Sequence, residues 1–270
     1  QRSKWLLHIM HKKPSGVWIM AYTTIDDPEL YFQTKLYTGN GSTQTITYDN
    51  TDADLDADMI WLKARNHAYS HQLFDTVRGV TKLLNPEAAE AEQTLSGITA
   101  FGTDSFNIGS DAGTNGSSKT YVAWCWKESA TARFDIVSWS GTGSAKTESH
   151  SLSAVPHFMW NKNRADATQH NIYHHKNTAA PETEIIYLNL TNATADDNAF
   201  WNDTAPTSSV FSVGADNGAN GSSDTMITYL WSEKQGFSKF GKYTGNGNAD
   251  GAFVYTGFRP AWLLIKHTSS

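Results

Sequence analysis

The segment FNIGSDAGTNGSSKTYVAWCWK at 106–127 returns as FSVGADNGANGSSDTMITYLWS at 211–232, and this recurrence decides the fold. Phe106/Phe211, Gly109/Gly214, Asp111/Asp216, Gly113/Gly218, Asn115/Asn220 and Trp126/Trp231 stand in register. Each copy is a Gly- and Asn-rich turn followed by a run of aromatic and β-branched residues. Gly and Asn tolerate positive φ, and the run that follows has the length and composition of one strand. Long-range self-similarity of this kind marks a repeat architecture.

Working outward, a second block occurs three times: LYTGNGS at 36–42, WSGTGSA at 139–145 and YTGNGNA at 243–249. Each leads to an apolar run ending in lysine, MIWLK at 59–63, HFMWNK at 157–162 and AWLLIK at 261–266. Lys63, Arg65 and His71 keep the spacing of Lys162, Arg164 and His170. Short strands with a turn every 8–12 residues or so predict an all-β chain of tandem antiparallel β-sandwich units, each of about 100 residues. The units expected are 20–129 and 130–235, joined in tandem, followed by a partial, truncated third at 236–270. Residues 1–19 precede Met20 and read as an upstream extension or linker. The helix expected is 80–93, VTKLLNPEAAEAEQ, with Asn85 as cap and Pro86 in the first turn, inserted as a loop in the first unit.

Composition narrows the function. With 39% hydrophobic residues, 10 Trp, 11 Tyr and 12 Phe, the chain can build a real core. A net charge of −6 argues against a sequence-independent nucleic-acid binder. No apolar run has the length of a membrane helix, so membrane insertion is not expected. The single Cys125 excludes an internal disulfide and sits in an aromatic strand, where a thiol behaves as a small hydrophobe.

MAYTTIDDPELYFQTKLYTGNGSTQTIT at 20–47 resembles the start of a family of tail-associated structural proteins of marine phages. So do MIWLKARNHAYSHQLFDTVRG at 59–79, TYVAWCWK at 120–127 and the closing stretch 236–270. The resemblance implies a virion component of the tail or its fibres, assembled in the host cytoplasm, with lectin-like sandwich domains of concanavalin A-like or jelly-roll type. It carries no catalytic residues. Its implied partners are other virion proteins or further copies of the chain, with a host-surface glycan as a further candidate for host adhesion.

Candidate chemistry is sparse. Asp111 and Asn115, and Asp216 and Asn220, offer oxygens in loops that resemble a calcium site. An EF-hand fails, because its third position is Gly113 or Gly218 and its twelfth is Val122 or Ile227. Turns leading into strands are the favoured reading, with calcium the one ion these loops would admit and no cofactor expected. The acidic run Asp52, Asp54, Asp56, Asp58 reads as a solvated loop. His170 and His174 suit zinc only on a helix, and their segment reads as strand. No nucleophile elbow, P-loop or repeated carboxylate pair is present, so no enzyme is expected. Lys63, Arg65, Lys162 and Arg164 are expected on solvent, with Trp61 and Trp160 in a core or interface. A carbohydrate-binding module is the alternative function, with Trp139 and Trp201 as exposed rings for stacking on sugar. A glycan-cleaving enzyme is a distant third.

Overall fold

The computed structural model describes residues 23–49 and 55–269. The expected extension 1–19 and the first carboxylates of the acidic run, Asp52 and Asp54, lie outside them. The chain is all-β. Nine strands form the first unit: β1 Phe32–Thr38, β2 Gln44–Thr47, β3 Met59–Ala64, β4 Gln72–Asp75, β5 Lys82–Leu83, β6 Gln93–Thr94, β7 Ile98–Gly102, β8 Ser105–Ile108 and β9 Thr120–Trp126. The second unit has β10 Phe134–Ser140, β11 Lys146–Ser149, β12 Phe158–Asn163, β13 Asn171–His174, β14 Glu184–Tyr187, β15 Ala195–Asp196, β16 Val210–Val213 and β17 Thr225–Trp231. Three one-turn helices punctuate them, α1 Ala112–Asn115, α2 Asn198–Trp201 and α3 Asn217–Asn220.

The two units repeat one wiring. The first large sheet runs β1-β9-β3-β4, and the second runs β10-β17-β12-β13 with β14 and β15 added at its edge. In each, the strand after the Asp-x-Gly-x-Asn-Gly turn is central, antiparallel to a neighbour on both sides. A small sheet, β2-β8-β7 or β11-β16, lies over one face. Ile46, Ile98, Phe106 and Ile108 of the small sheet close on Ile60, Leu62, Phe74, Ala123 and Cys125 of the large one. Phe211 and Val213 do the same with Met159, Met226 and Leu230, helped by Phe200 and Trp201 of α2.

The large sheets are covered on the other face as well, by each other. Phe32, Met59, Trp61, Leu73, Trp124 and Trp126 meet Phe134, Phe158, Trp160, Ile172, Tyr229 and Trp231 in a third apolar cluster. The two tandem units are packed face to face, an arrangement that the sequence left open. The reason is the alternation within strands. Met59 and Trp61 point to the partner unit while Ile60 and Leu62 point to the small sheet, so a strand buried on both faces is apolar throughout. The two sets of contact residues hold the same positions in the repeat, and Trp61 and Trp160 touch each other at 5.5 Å between ring centroids. A patch that meets its own equivalent is the geometry of a two-fold axis.

The expected helix at 80–93 is absent. Residues 82–83 and 93–94 pair as β5 and β6, and the stretch between them reaches across to the second unit. His170 Nε2 bonds Asn85 O at 3.0 Å, and Glu92 N donates to Arg164 O at 2.8 Å. These contacts claim backbone groups that a helix would use internally. Asn85 is buried and its side chain donates to His71 O instead of capping.

The third segment, 236–269, forms no strand. It is pinned at Phe240, stacked on Phe158, and at Trp262, edge-on to Trp61 and Trp126. No helix among the described residues is long and apolar enough to cross a membrane.

Candidate functional site

The two motifs that define the repeat bind each other. Asp111 caps α1 by accepting from Gly113 N, and Asp216 caps α3 by accepting from Gly218 N. Asn115 is fully buried; its Oδ1 accepts from Asn40 N and Gln44 Nε2, and its Nδ2 donates to Ser42 O and Gly109 O. Asn220, also fully buried, accepts from Thr142 N and donates to Ser144 O and Gly214 O. Each Asn therefore clamps the Gly-rich loop between the first two strands of its unit. A Cβ on Gly39 would lie 2.4 Å from Gly116 O, and one on Gly141 would lie 2.0 Å from Gly221 O, so these glycines admit the clamp. Both Asn amides are thus engaged within the fold, Asn115 Oδ1 accepting two hydrogen bonds and Asn220 Oδ1 one.

The Lys-x-Arg…His pattern is also internal. Trp61 Nε1 donates to His71 Nδ1 at 2.9 Å and Trp160 Nε1 donates to His170 Nδ1 at 2.8 Å. His170 must then carry its proton on Nε2, donated to Asn85 O. Burial, reinforced by Lys162, lowers its pKa to about 3. Lys162 was expected on solvent but is 0% exposed, with Nζ donating to Asp166 O and Thr168 O. Burial lowers its pKa to about 8. Lys63 does the same work for its own loop, donating to Tyr69 O. Only Arg65 of this set is exposed; Arg164 grips Glu92 through two bonds, of 2.8 and 3.0 Å.

The two candidate sugar-stacking rings lie inside. Trp139 is 8% exposed, packed on Phe211, with Nε1 donating to Thr228 Oγ1. Trp201 is 1% exposed. Its polar flanks, NAFWND, read as a surface loop, but Asp197 caps α2 and Asn202 ends it at φ 55°, turning Phe200 and Trp201 inward.

An open cleft of about 330 Å³ lies at one end of the second unit, lined by Arg133, His157, Glu233, Lys239 and, from the third segment, Tyr255 and Gly257. His157 and His175 stack with centroids 4.1 Å apart. Burial, then His175, lowers the His157 pKa to about 4, so the ring is neutral at pH 7. Burial alone would raise the Glu233 pKa, but the Phe240 amide, Lys176 and Lys239 outweigh it and hold it below its ordinary value. His157, His175 and Glu233 converge closely enough to suggest a metal. His175 Nε2 is already engaged with Phe240 O at 3.2 Å, and Lys176 and Lys239 lie against the Glu233 carboxylate. His157 Nδ1 is occupied by Glu233 N, the counterpart of Glu128 N donating to Asp58 Oδ2 in the first unit.

The family described as a domain of unknown function (DUF7483) matches residues 27–270. The chain belongs to that family. A comparison with curated proteins finds no match.

In this DUF7483 chain one further carboxyl, that of Glu128, stands out. Burial, then the adjoining carboxyl of Asp135, raises the Glu128 pKa to about 8. Asp135 is 3% exposed and accepts from Ile136 N and Ser151 N. Sequence reasoning also missed a charged relay across the unit interface, Tyr229–Asp75–Arg78–Glu92–Arg164. Its only sequence signal was Asp75 and Arg78 beside strands too apolar to face water.

Proposed function

We propose that this chain is a non-enzymatic structural component of a phage virion, tail or tail-fibre associated, supplying rigid β-sandwich modules. The observation that carries the reading is that the residues the repeat preserves spend their polar atoms on the fold. Asp111, Asn115, Asp216, Asn220, Lys162 and His170 each hold a loop, a turn or a neighbouring ring. Selection on such a pattern maintains a shape rather than a reaction centre. The fused large sheets support a load-resisting role, and the phage placement rests on the family resemblance. Partners are other virion proteins or further copies of the chain.

Host-glycan binding is a second reading, moved away from Trp139 and Trp201 by their burial. The cleft with the exposed Tyr255 beside Arg133 and Glu233 supports it better. Mass spectrometry and immunogold labelling of purified particles test the first reading; absence of the chain from particles would refute it. A glycan array tests the second, with Tyr255→Ala losing binding.

A further inference from the structure

The two units differ at the end where the cleft opens, and their shared hydrogen bonds show which positions have changed. Ser232 N donates to Arg133 O as Lys127 N donates to Tyr31 O, both at 3.0 Å, so Arg133 stands where the first unit has Tyr31. The Glu233 amide donates to His157 as the Glu128 amide donates to Asp58, so His157 takes the place of Asp58. Met59 pairs with Asp75 and Phe158 with His174, which aligns Val77 with Lys176. One bridge past the central strand, Ser129 to Phe134 or Lys234 to Ser238, aligns Ser129 with Lys234.

At these positions the first unit carries two carboxyls, Asp58 and Glu128, and no cation. The second carries Arg133, Lys176 and Lys234 against the single carboxylate of Glu233. Lys239 adds a fourth cation, 3.6 Å from Glu233, with Lys176 at 3.7 Å. His157 and His175, whose pKa values burial lowers, stack as an uncharged wall. A chain of net charge −6 thus gathers an excess of positive charge in one concave place. Arg133 is also strained: its φ is 59°, in the left-handed region, whereas Tyr31 has φ −122°. Its Nη1 donates to Glu233 O, which holds the guanidinium in the cleft lining. Tyr255, 73% exposed, adds an aromatic ring to the same lining.

We infer that this cleft takes an acidic saccharide, its carboxylate held by Arg133 and Lys239 and its ring laid against Tyr255. The inference rests on the glycan reading of the cleft and names the class of sugar. Guanidinium and ammonium groups make charge-assisted hydrogen bonds to a carboxylate, and a phenol face suits the apolar face of a sugar. An uncharged sugar would use only the second of these. The cleft volume, about 330 Å³, lies within the range of small-ligand sites, about 300–1,000 Å³.

Calorimetric titration of the whole chain with oligogalacturonate and with sialyllactose tests this, each beside an uncharged counterpart, methyl-esterified oligogalacturonate and lactose. Expected is saturable binding of an acidic sugar, about tenfold or more tighter than its counterpart, weakening as salt rises from about 50 to 300 mM. Lys239→Gln and Lys176→Gln should each weaken it about fivefold with the melting temperature unchanged, because both side chains are 42% exposed. Lys127→Gln, at the same end of the first unit, should leave binding as it is. Equal affinity for acidic and uncharged sugars would overturn the inference and leave the glycan reading standing. Binding of no sugar of either kind would overturn both, and so would binding of inorganic phosphate alone. Acidic-sugar binding that ignores both Lys176→Gln and Lys239→Gln would place the site elsewhere and overturn the assignment to this cleft.

Discussion

Cutting the interface relay at Arg78 should destabilise the whole chain by about 3–5 kcal/mol, the usual cost of leaving a buried charge without its partner. Arg78 and Asp75 side chains are both fully inaccessible, so water cannot replace what is lost. In Arg78→Met the Asp75 carboxylate keeps only the Arg78 amide and the Tyr229 hydroxyl, at 2.7 and 2.6 Å. The Lys82 carbonyl loses the guanidinium, while the Leu73 carbonyl retains the Leu84 amide. Asp75→Asn is nearly isosteric but sets an amide N–H against the Arg78 N–H, and should cost a similar amount. Combining the two removes both charges, so the double variant should be less damaging than the sum by about 2 kcal/mol or more. Urea unfolding followed by tryptophan fluorescence measures all three, with unchanged m-values expected. If Arg78→Met costs less than about 1 kcal/mol, or the two effects simply add, the relay is not what joins the units.

Further expectations follow from the same geometry. Asn115→Ala and Asn220→Ala should each cost about 2–3 kcal/mol in denaturant titrations, whereas loss of the Asp111 cap costs about 1 kcal/mol. Adding calcium or a chelator should leave the melting temperature unchanged; a rise of several degrees with calcium would reinstate the Asp/Asn loops as a cation site. Trp201→Ala should lower stability by about 3–5 kcal/mol without altering any glycan binding, and selective loss of binding at unchanged stability would contradict its burial. His170 is held neutral with its pKa at about 3, below the ordinary value near 6.5. Its contribution is therefore complete above pH 6.5 and declines as pH falls toward 3, because the unfolded chain takes up a proton that the folded one refuses. His170→Gln should remove about 1.4 kcal/mol per pH unit from the slope of stability between pH 6 and 4, read from urea midpoints; an unchanged slope would refute it.

The architecture was readable because its signals are local. A Gly/Asn turn and the strand after it carry their conformation in a few adjacent residues, and their recurrence gave the order of elements in both units. Burial was harder to read because it depends on which layer a segment meets. NAFWND is polar by composition, yet the Asp197 cap and the Asn202 turn rotate Trp201 into the core. Lys162 carries a charge at a position where the loop between β12 and β13 supplies carbonyls to absorb it. The helix at 80–93 had good local propensity, but backbone contacts with Arg164 and His170 outweighed it. The face-to-face union of the units had a visible signal that went unused. MIWL, YVAWCW and MITYLW are apolar at both odd and even positions, which a half-exposed strand would not be.

Because each large sheet is covered by its own counterpart, modules of this kind are satisfied in twos. A unit isolated by itself would expose the row of Trp and Phe that its twin now hides, and would seek a second copy. Joining two units on one polypeptide removes that dependence on concentration and fixes the pairing before any encounter in solution. A chain that adds units is then constrained by parity: an even number closes every broad face, while each odd unit leaves one face open to another molecule.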